Sequence, residues 1–212
     1  MRTALIDYGS GNIASAAKAL ARAAGDAGDQ EVIVTADPAL VRKSDRIVLP
    51  GVGAFADCMR GLSAVPGMID ALNESVIRGG KPFLGICVGM QLMATAGREF
   101  GVHSGLDWIK GEVEPVKPAD PDLKIPHMGW NEIELVREHP LFAGLEPGDN
   151  AYYVHSFEMK PGHRANLLAT TNYGGAITAA IGRDNLVGTQ FHPEKSQAVG
   201  LRILANFLNW TP

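Results

Sequence analysis

In the first half of the chain, short apolar runs alternate with stretches whose apolar residues recur at helical spacing. The runs predict buried strands at 4–6, 31–35, 46–49 and 82–86. Apolar residues three and four apart predict helices over 13–24 and 68–77, and another helix that begins at Met90. Strand–helix alternation of this kind is typical of an α/β fold with a parallel sheet that is covered on both faces.

The second half is richer in strands and turns. Shorter strands are predicted at 108–116, 129–136, 152–159, 167–171 and 176–181. An amphipathic helix over 199–208 closes the chain, with Ser196 as its expected N-cap. Because no low-complexity segment or long linker interrupts these elements, residues 1–212 are predicted to form a single domain.

Directly after the fourth strand stands Gly85-Ile86-Cys87-Val88-Gly89, a cysteine version of the glycine-x-nucleophile-x-glycine turn. Small neighbours let the chain bend sharply there, and free N–H groups at a helix start favour a thiolate. A lone cysteine between glycines is more often a small buried apolar residue. The pentapeptide by itself leaves both interpretations open.

A second motif, Gln190-Phe191-His192-Pro193-Glu194, favours the catalytic interpretation. A nucleophilic cysteine needs a base, and the base needs a group that orients it. His192 and Glu194 supply imidazole and carboxylate two residues apart, around a proline that stiffens the chain. A structural histidine and a solvated carboxylate remain the alternatives for each residue taken alone.

Composition narrows the classes of function. The chain has 212 residues, 46% of them hydrophobic, and a net charge of −4 without a basic stripe, which argues against nucleic acid as a partner. Neither a signal peptide nor a membrane span is expected, and two cysteines suit a reducing, cytoplasmic compartment. We expect no cofactor and no metal, because the remaining histidines lack ligand spacing: His103, His127, His139 and His163.

The two motifs, 85–91 and 192–194, resemble the class I (triad) glutamine amidotransferases, and the similarity extends over nearly the whole chain. The stretches 50–55, 124–131 and 152–157 narrow the resemblance to one subgroup, the glutaminase subunits of imidazole glycerol phosphate synthase. This resemblance implies a flavodoxin-like α/β fold. Its central, mostly parallel sheet has helices on both faces, and an additional smaller antiparallel sheet is expected.

The resemblance also implies residue roles. Cys87 would attack the side-chain amide of L-glutamine, with His192 as acid and base and Glu194 as its orienting partner. The oxyanion hole would use backbone N–H groups of Val52, Gly53 and Val88; valine replaces the subgroup's usual leucine at position 88, which matters little for a backbone donor. The residues expected to bind glutamine are Gly51, Gln91, Tyr152, His155 and Ser156.

Within the subgroup, ammonia passes to a separate (β/α)-barrel cyclase subunit in a heterodimer. This chain is shorter than a barrel of about 250 residues, so the resemblance implies that the acceptor is another polypeptide. Asn12, Trp130 and Lys195 are the residues expected to face it. Core packing of Trp130 and a solvated Lys195 are the alternatives.

Three other functions stay open at this point. The chain could be the glutaminase subunit of another ammonia-using biosynthetic enzyme, although the run 125–131 argues against it. It could be a cysteine hydrolase of similar architecture that acts on another amide. It could also be a catalytically silent binding subunit, against which the intact Cys87, His192 and Glu194 argue.

The motif at Cys87 generates a direct test. Cys87→Ala should abolish glutamine hydrolysis and leave the fold intact, and its complex with a cyclase should still make product from ammonium salts. Cys58→Ala, the matched control outside the turn, should keep most of the activity. A glutamine assay on both variants checks this, and wild-type hydrolysis by Cys87→Ala would contradict the proposed nucleophile.

Overall fold

The computed structural model describes residues 1–26 and 30–212. Within these ranges the strands are β1 (Arg2–Ile6), β2 (Glu31–Thr35), β3 (Arg46–Gly51), β4 (Phe83–Cys87), β5 (Ala96–Gly97), β6 (His103–Ser104), β7 (Gly111–Pro115), β8 (His127–Glu132), β9 (Glu134–Leu135), β10 (Asn150–His155), β11 (Phe157–Pro161), β12 (Leu167–Asn172), β13 (Ala176–Arg183) and β14 (Leu186–Thr189). The α-helices are α1 (Ile13–Asp26), α2 (Pro38–Lys43), α3 (Phe55–Ala64), α4 (Met68–Leu72), α5 (Val88–Gln91) and α6 (Gln197–Asn209), and α4 continues as a π-helix over Asn73–Arg78.

An eight-stranded mixed sheet lies at the centre, with the order β2-β1-β3-β4-β14-β13-β12-β9. The pairs from β2 to β14 are parallel, and β13, β12 and β9 continue the sheet in antiparallel fashion. Every residue of β3, β4 and β14 is buried. Because successive side chains point to opposite faces, complete burial means that both faces of these strands are covered. The predicted α/β class is confirmed.

Two smaller sheets stand beside the large one, where a single antiparallel sheet was expected. One pairs β10 with β8, and the other has the order β11-β7-β5-β6 with a parallel pair between β7 and β5. The predicted strand 152–159 is in fact β10 and β11, interrupted at Ser156. This break takes the chain from one small sheet to the other, which an uninterrupted apolar pattern does not reveal.

The apolar pattern did not predict two of the helices. These are α2, between β2 and β3, and α3, between β3 and α4. The local signal for α2 is Asp37-Pro38, because Asp37 caps the helix by accepting from the Ala39 N–H at 2.8 Å, with proline in the first turn. The helix expected from Met90 onward is instead the four-residue α5, which begins at Val88. None of the helices in the described ranges has the length and apolar character needed to cross a lipid bilayer.

The carboxyl edge of the parallel strands brings the sequence motifs together. In the register of β3 and β4, Gly51 lies opposite Cys87, and Thr189 of β14 lies opposite Ile86. The chain that leaves β14 therefore passes beside Cys87. In a sheet of this type the ligand site lies beyond the carboxyl ends of the strands.

The glycine after Cys87 is required by a close approach between α5 and β3. A Cβ at Gly89 would lie 1.9 Å from the Leu49 carbonyl oxygen, which is backbone and has no rotamer to change. Overpacking costs about 1–3 kcal/mol and occasionally more. Gly89→Ala should therefore lower the free energy of unfolding by at least about 3 kcal/mol.

Gly25→Ala on α1 is the matched control, because a Cβ there meets nothing within 4 Å. It should leave stability unchanged or raise it by about 0.5–1 kcal/mol. Urea unfolding of both variants is the measurement. An equal effect of the two substitutions on stability would show that the close approach of α5 to β3 does not require a glycine at position 89.

Candidate active site

Cys87 lies at the end of β4 in strained backbone, with φ 54° and ψ −114°. Non-glycine residues rarely adopt a positive φ, and such strain is stored mainly at functional sites. Val88 is the first residue of α5, so its N–H has no acceptor within the helix. Since α5 has only four residues, few peptide dipoles add up behind the sulfur.

His192 and Glu194 form a buried pair next to Cys87. His192 Nδ1 lies 2.8 Å from Glu194 Oε1, and the two side chains are 2% and 4% exposed. The carboxylate therefore accepts a hydrogen bond from Nδ1–H, and Nε2 is the ring nitrogen that does not contact Glu194. That Nε2 is buried and has no hydrogen-bond partner among the described residues.

Side chains on both sides of His192 favour its charged form. Burial lowers the pKa of the imidazole, but Cys87 and Glu194 outweigh burial and raise this pKa to about 10. At neutral pH the ring is an imidazolium that lies between a sulfur and a carboxylate. The arrangement suits a group that donates a proton and later accepts one.

Ser196 holds the His192 segment in place. The expected N-cap hydrogen bond of Ser196 to α6 is absent. Its Oγ instead donates to the His192 carbonyl at 2.6 Å and accepts from the Tyr152 N–H at 2.9 Å. The His192 N–H in turn donates to the Tyr152 carbonyl at 2.9 Å. These bonds tie the histidine to β10.

A cleft of about 430 Å³ opens above Cys87. It is lined by Val52, Gly53, Cys87, Val88, Gln91, Glu99, Pro126, Val154, His155, Ser156, Phe157, His192 and Lys195. Two predicted glutamine-binding residues, Gly51 and Tyr152, are not among the residues that line this cleft. Gly51 packs against Gly89 and Tyr8, and Tyr152 supports the His192 segment through its backbone.

The loop after β3 is held by the side chains of Ser10 and Cys58. The Val52 N–H donates to Ser10 Oγ at 3.4 Å, and its carbonyl accepts from Ser10 Oγ at 2.7 Å and from Cys58 Sγ at 3.3 Å. The Val52 N–H, one of the three predicted to serve the oxyanion hole, is therefore engaged elsewhere in this conformation. Gly53 has φ 95°, a left-handed conformation that glycine adopts without strain.

Gln91 and His155, both expected at the substrate, are fixed by hydrogen bonds to the cleft wall. Gln91 Nε2 donates to the Phe157 carbonyl and to Gln190 Oε1, each at 3.0 Å. His155 Nδ1 donates to the same Phe157 carbonyl at 3.0 Å. Ser156 is the bend between β10 and β11, so its backbone borders the cleft.

A neutral histidine pair, not predicted from the sequence, lies behind this wall. His127 Nδ1 donates to His155 Nε2 at 3.0 Å, and the His127 ring stacks on Tyr153 and Tyr173 with centroids 4.8 and 4.1 Å apart. Burial lowers the pKa of both histidines to about 4. Because His155 is neutral and its Nδ1 donates to a carbonyl, its Nε2 must accept.

Glu99 and Gln190 were also not predicted as site residues from the sequence. Glu99 lines the cleft and accepts the Phe55 N–H at 2.9 Å. Gln190 is fully buried, and its Nε2 lies 3.6 Å from Cys87 Sγ. The position of Gln190, two residues before His192, was the available signal.

The three residues expected to face a partner lie in different surroundings. Trp130 is 49% exposed and packs edge-on against Tyr152, and the Lys195 ammonium stands 5.5 Å from the centre of the same Tyr152 ring. Asn12 instead directly precedes α1, and its side chain accepts the Ser15 N–H at 3.4 Å. No cluster of three or more His, Cys, Asp or Glu side chains suited to a metal occurs within 1–26 and 30–212.

Comparison with known proteins gives consistent results. Residues 4–210 match the family model described as glutamine amidotransferase class-I. The chain is 60% identical to the imidazole glycerol phosphate synthase subunit HisH of Rhodospirillum rubrum over 100% of both chains. It is 58% identical to that of Caulobacter vibrioides over 99% of this chain and 98% of the relative.

Solved structures are similar in fold. A structure described as a glutamine amidotransferase has a TM-score of 0.73 at 14% identity, covering 98% of this chain and 99% of the other. A glutamine amidotransferase from Thermotoga maritima has a TM-score of 0.61 at 17% identity, covering 92% of this chain and 76% of the other. At these identities the likeness concerns the fold alone.

The lowered histidine pKa values generate a prediction about stability. A folded pKa near 4 against an ordinary 6.5 means that neutral His127 and His155 stabilise the fold fully above pH 6.5. This contribution is lost as pH falls toward 4. His127→Gln should therefore reduce the loss of unfolding free energy between pH 7.5 and 5 by about 1–2 kcal/mol.

Urea unfolding at the two pH values measures this loss. The raised pKa of His192 does not interfere, because its stabilising contribution is complete below pH 6.5 and is lost only as pH rises through about 10. Exposed His163→Gln is the control and should behave like wild type. The same pH dependence in wild type and His127→Gln would contradict a neutral buried pair.

Proposed function

The chain belongs to the class-I glutamine amidotransferase family, and we propose that it is the glutaminase subunit of an imidazole glycerol phosphate synthase. In this proposal it hydrolyses L-glutamine to glutamate and ammonia and supplies the ammonia for histidine biosynthesis. The observation that carries it is the buried constellation of strained Cys87, charged His192 and Glu194. The names of full-length relatives at 56–60% identity support the choice of subgroup.

The reaction follows from the protonation of His192. The Cys87 thiolate attacks the amide carbon of glutamine and gives a tetrahedral oxyanion. The imidazolium donates its Nε2 proton to the departing nitrogen, so that ammonia leaves and a glutamyl thioester remains. Neutral His192 then takes a proton from water, hydroxide attacks the thioester, and glutamate and the thiolate are released. Glu194 holds the ring throughout.

The walls of the cleft suit a zwitterionic amino acid. Glu99 offers a carboxylate for the substrate ammonium, and Lys195 offers an ammonium for its carboxylate. Gln91 and the backbone at His155 and Ser156 complete the glutamine site. The backbone N–H groups of Val88, Val52 and Gly53 bind the oxyanion; Gly51 acts through packing of the loop.

The proposed partner is a (β/α)-barrel cyclase subunit that forms a heterodimer with this chain. The patch of Trp130, Tyr152 and Lys195 supports a docking face, since it combines exposed apolar area with a cation and adjoins the cleft. Asn12, directly before α1, belongs to the same proposal. Residues 1–212 act as one amidotransferase domain, and two unpaired cysteines support work in the cytoplasm.

The catalytic pair can be separated by two substitutions. His192→Ala should reduce kcat as severely as loss of Cys87, because residues that act as a unit are not additive. Glu194→Gln should be milder, since it retains an acceptor for Nδ1–H but lowers the pKa of His192 toward its ordinary value.

Steady-state glutaminase kinetics with the cyclase present measure both variants, and exposed His163→Ala is the matched control. Kinetics of Glu194→Gln equal to those of wild type would remove Glu194 from the site. Full activity of His192→Ala would overturn the proposed reaction.

Because the Val52 N–H is bound to Ser10 Oγ, we predict that the partner must reorient the loop before this N–H can bind the oxyanion. A missing oxyanion donor costs on the order of 10²–10³ in rate, so the liganded cyclase should stimulate hydrolysis by about that factor. Ser10→Ala removes both Ser10 bonds to Val52. It should raise the rate without partner by up to about tenfold, since one hydrogen bond contributes about 0.5–1.5 kcal/mol.

The control is Ser63→Ala, which changes an exposed serine on α3. The measurement is the glutaminase rate of each variant alone and with liganded cyclase. A chain that hydrolyses glutamine at its full rate alone would point to a free-standing hydrolase, and an unchanged unstimulated rate in Ser10→Ala would exclude Ser10 as the restraint.

A further inference from the structure

Gln190 lies beside the reacting sulfur and has no role in the reaction described above. It follows β14, whose Thr189 pairs with Ile86, so the fold places it next to Cys87. Its backbone N–H donates to the Ala179 carbonyl at 2.8 Å, and the residue is fully buried. Its Nε2 reaches within 3.6 Å of Cys87 Sγ, which is a normal length for a hydrogen bond to sulfur.

The orientation of the Gln190 amide is fixed by its neighbours. The Phe157 carbonyl can only accept, so the Gln91 atom that contacts it at 3.0 Å must be the NH₂ group. The second hydrogen of that NH₂ group goes to Gln190 at 3.0 Å, and the contacted atom must then be an oxygen. The NH₂ end of Gln190 is left to face Cys87.

The same carbonyl also orients the histidine pair. His155 Nδ1 donates to Phe157, so its Nε2 accepts from His127 Nδ1. Asn131 continues this branch by donating to His127 Nε2 at 3.3 Å and to the Asn172 carbonyl at 2.8 Å. One backbone oxygen therefore sets the direction of two hydrogen-bonded branches, and the first of them ends at the sulfur.

We propose that Gln190 donates a hydrogen bond from Nε2 to Cys87 Sγ and so stabilises the thiolate that attacks the substrate. The donor is preorganised, because Gln91 and Phe157 prevent the amide from turning its oxygen toward the sulfur. The inference rests on the proposed function in one respect, namely that Cys87 is the nucleophile.

Several titratable groups act on Cys87 besides this neutral donor. His192 lies beside the sulfur, with Glu194 behind it. Tyr8 and Cys58 also interact with Cys87 electrostatically, and Glu99 and Lys195 face the same cleft. A substitution of Gln190 leaves all of these charges in place, so a changed titration of Cys87 reports the donor.

The test is the pH dependence of alkylation by iodoacetamide, resolved by peptide mass spectrometry so that Cys87 and Cys58 are followed separately in the full chain. Gln190→Met keeps the length of the side chain and removes the donor. The midpoint for Cys87 should move to higher pH by about one unit, a roughly tenfold change in the thiol–thiolate equilibrium.

Gln30→Met is the matched control, because it removes an amide hydrogen bond to the Leu208 carbonyl at 3.0 Å, outside the cleft. It should lower the melting temperature without moving the Cys87 midpoint. A folded Gln190→Met with an unmoved midpoint would overturn the inference and leave the proposed function standing. Glutamine hydrolysis by Cys87→Ala would overturn both.

A second measurement does not depend on the folding of Gln190→Met. With the four glutamines of the chain labelled with ¹⁵N, the side-chain amide resonances of Gln190 should titrate with the Cys87 midpoint found by alkylation. In Cys87→Ser this transition should disappear. Gln190 resonances that do not change as Cys87 ionises would refute the hydrogen bond.

Discussion

The backbone conformation of Cys87 is the constraint on which the rest of the site depends. A positive φ at a non-glycine residue costs on the order of 1–3 kcal/mol, so the surrounding structure must impose it. The fully buried β4 fixes one side of the turn, and the approach of Gly89 to the Leu49 carbonyl fixes the other. The Cys87 sulfur is thus positioned by the core of the molecule rather than by a surface loop.

The smaller sheet of β8 and β10 positions His192 relative to Cys87. His192 follows a strand of the large sheet, yet its backbone is bound to Tyr152 of β10, and Ser196 bridges the same two segments. The ring of Tyr152 contacts Trp130 and Lys195. A partner bound to that patch would therefore touch the element that holds His192, which gives a short physical connection between docking and catalysis.

Three buried histidines near the cleft show how surroundings assign charge. His192 is held between a carboxylate and a sulfur and is protonated at neutral pH. His127 and His155 face tyrosine rings, each other and a backbone carbonyl, so burial keeps them neutral. Because this pair is neutral, it adds no positive charge that would compete with the His192 imidazolium beside Cys87. The same residue type is thus charged in one place and a neutral hydrogen-bonding group in another.

The sequence by itself determined the features that are local in the chain. Periodicity predicted the α/β class, and the glycines around Cys87 predicted a sharp turn. Both patterns involve only residues that are close together in the sequence. His192 and Glu194, two residues apart around a proline, predicted their own hydrogen bond for the same reason. Tertiary structure alone decided what depends on distant contacts. Gln190 and Cys87 are 103 residues apart, His127 and His155 are 28 apart, and the Val52 N–H is engaged by a hydroxyl 42 residues away. Such contacts follow from which strands pair and where the chain turns, as at Ser156, and residue patterns do not encode the pairing of elements that meet only in the folded molecule.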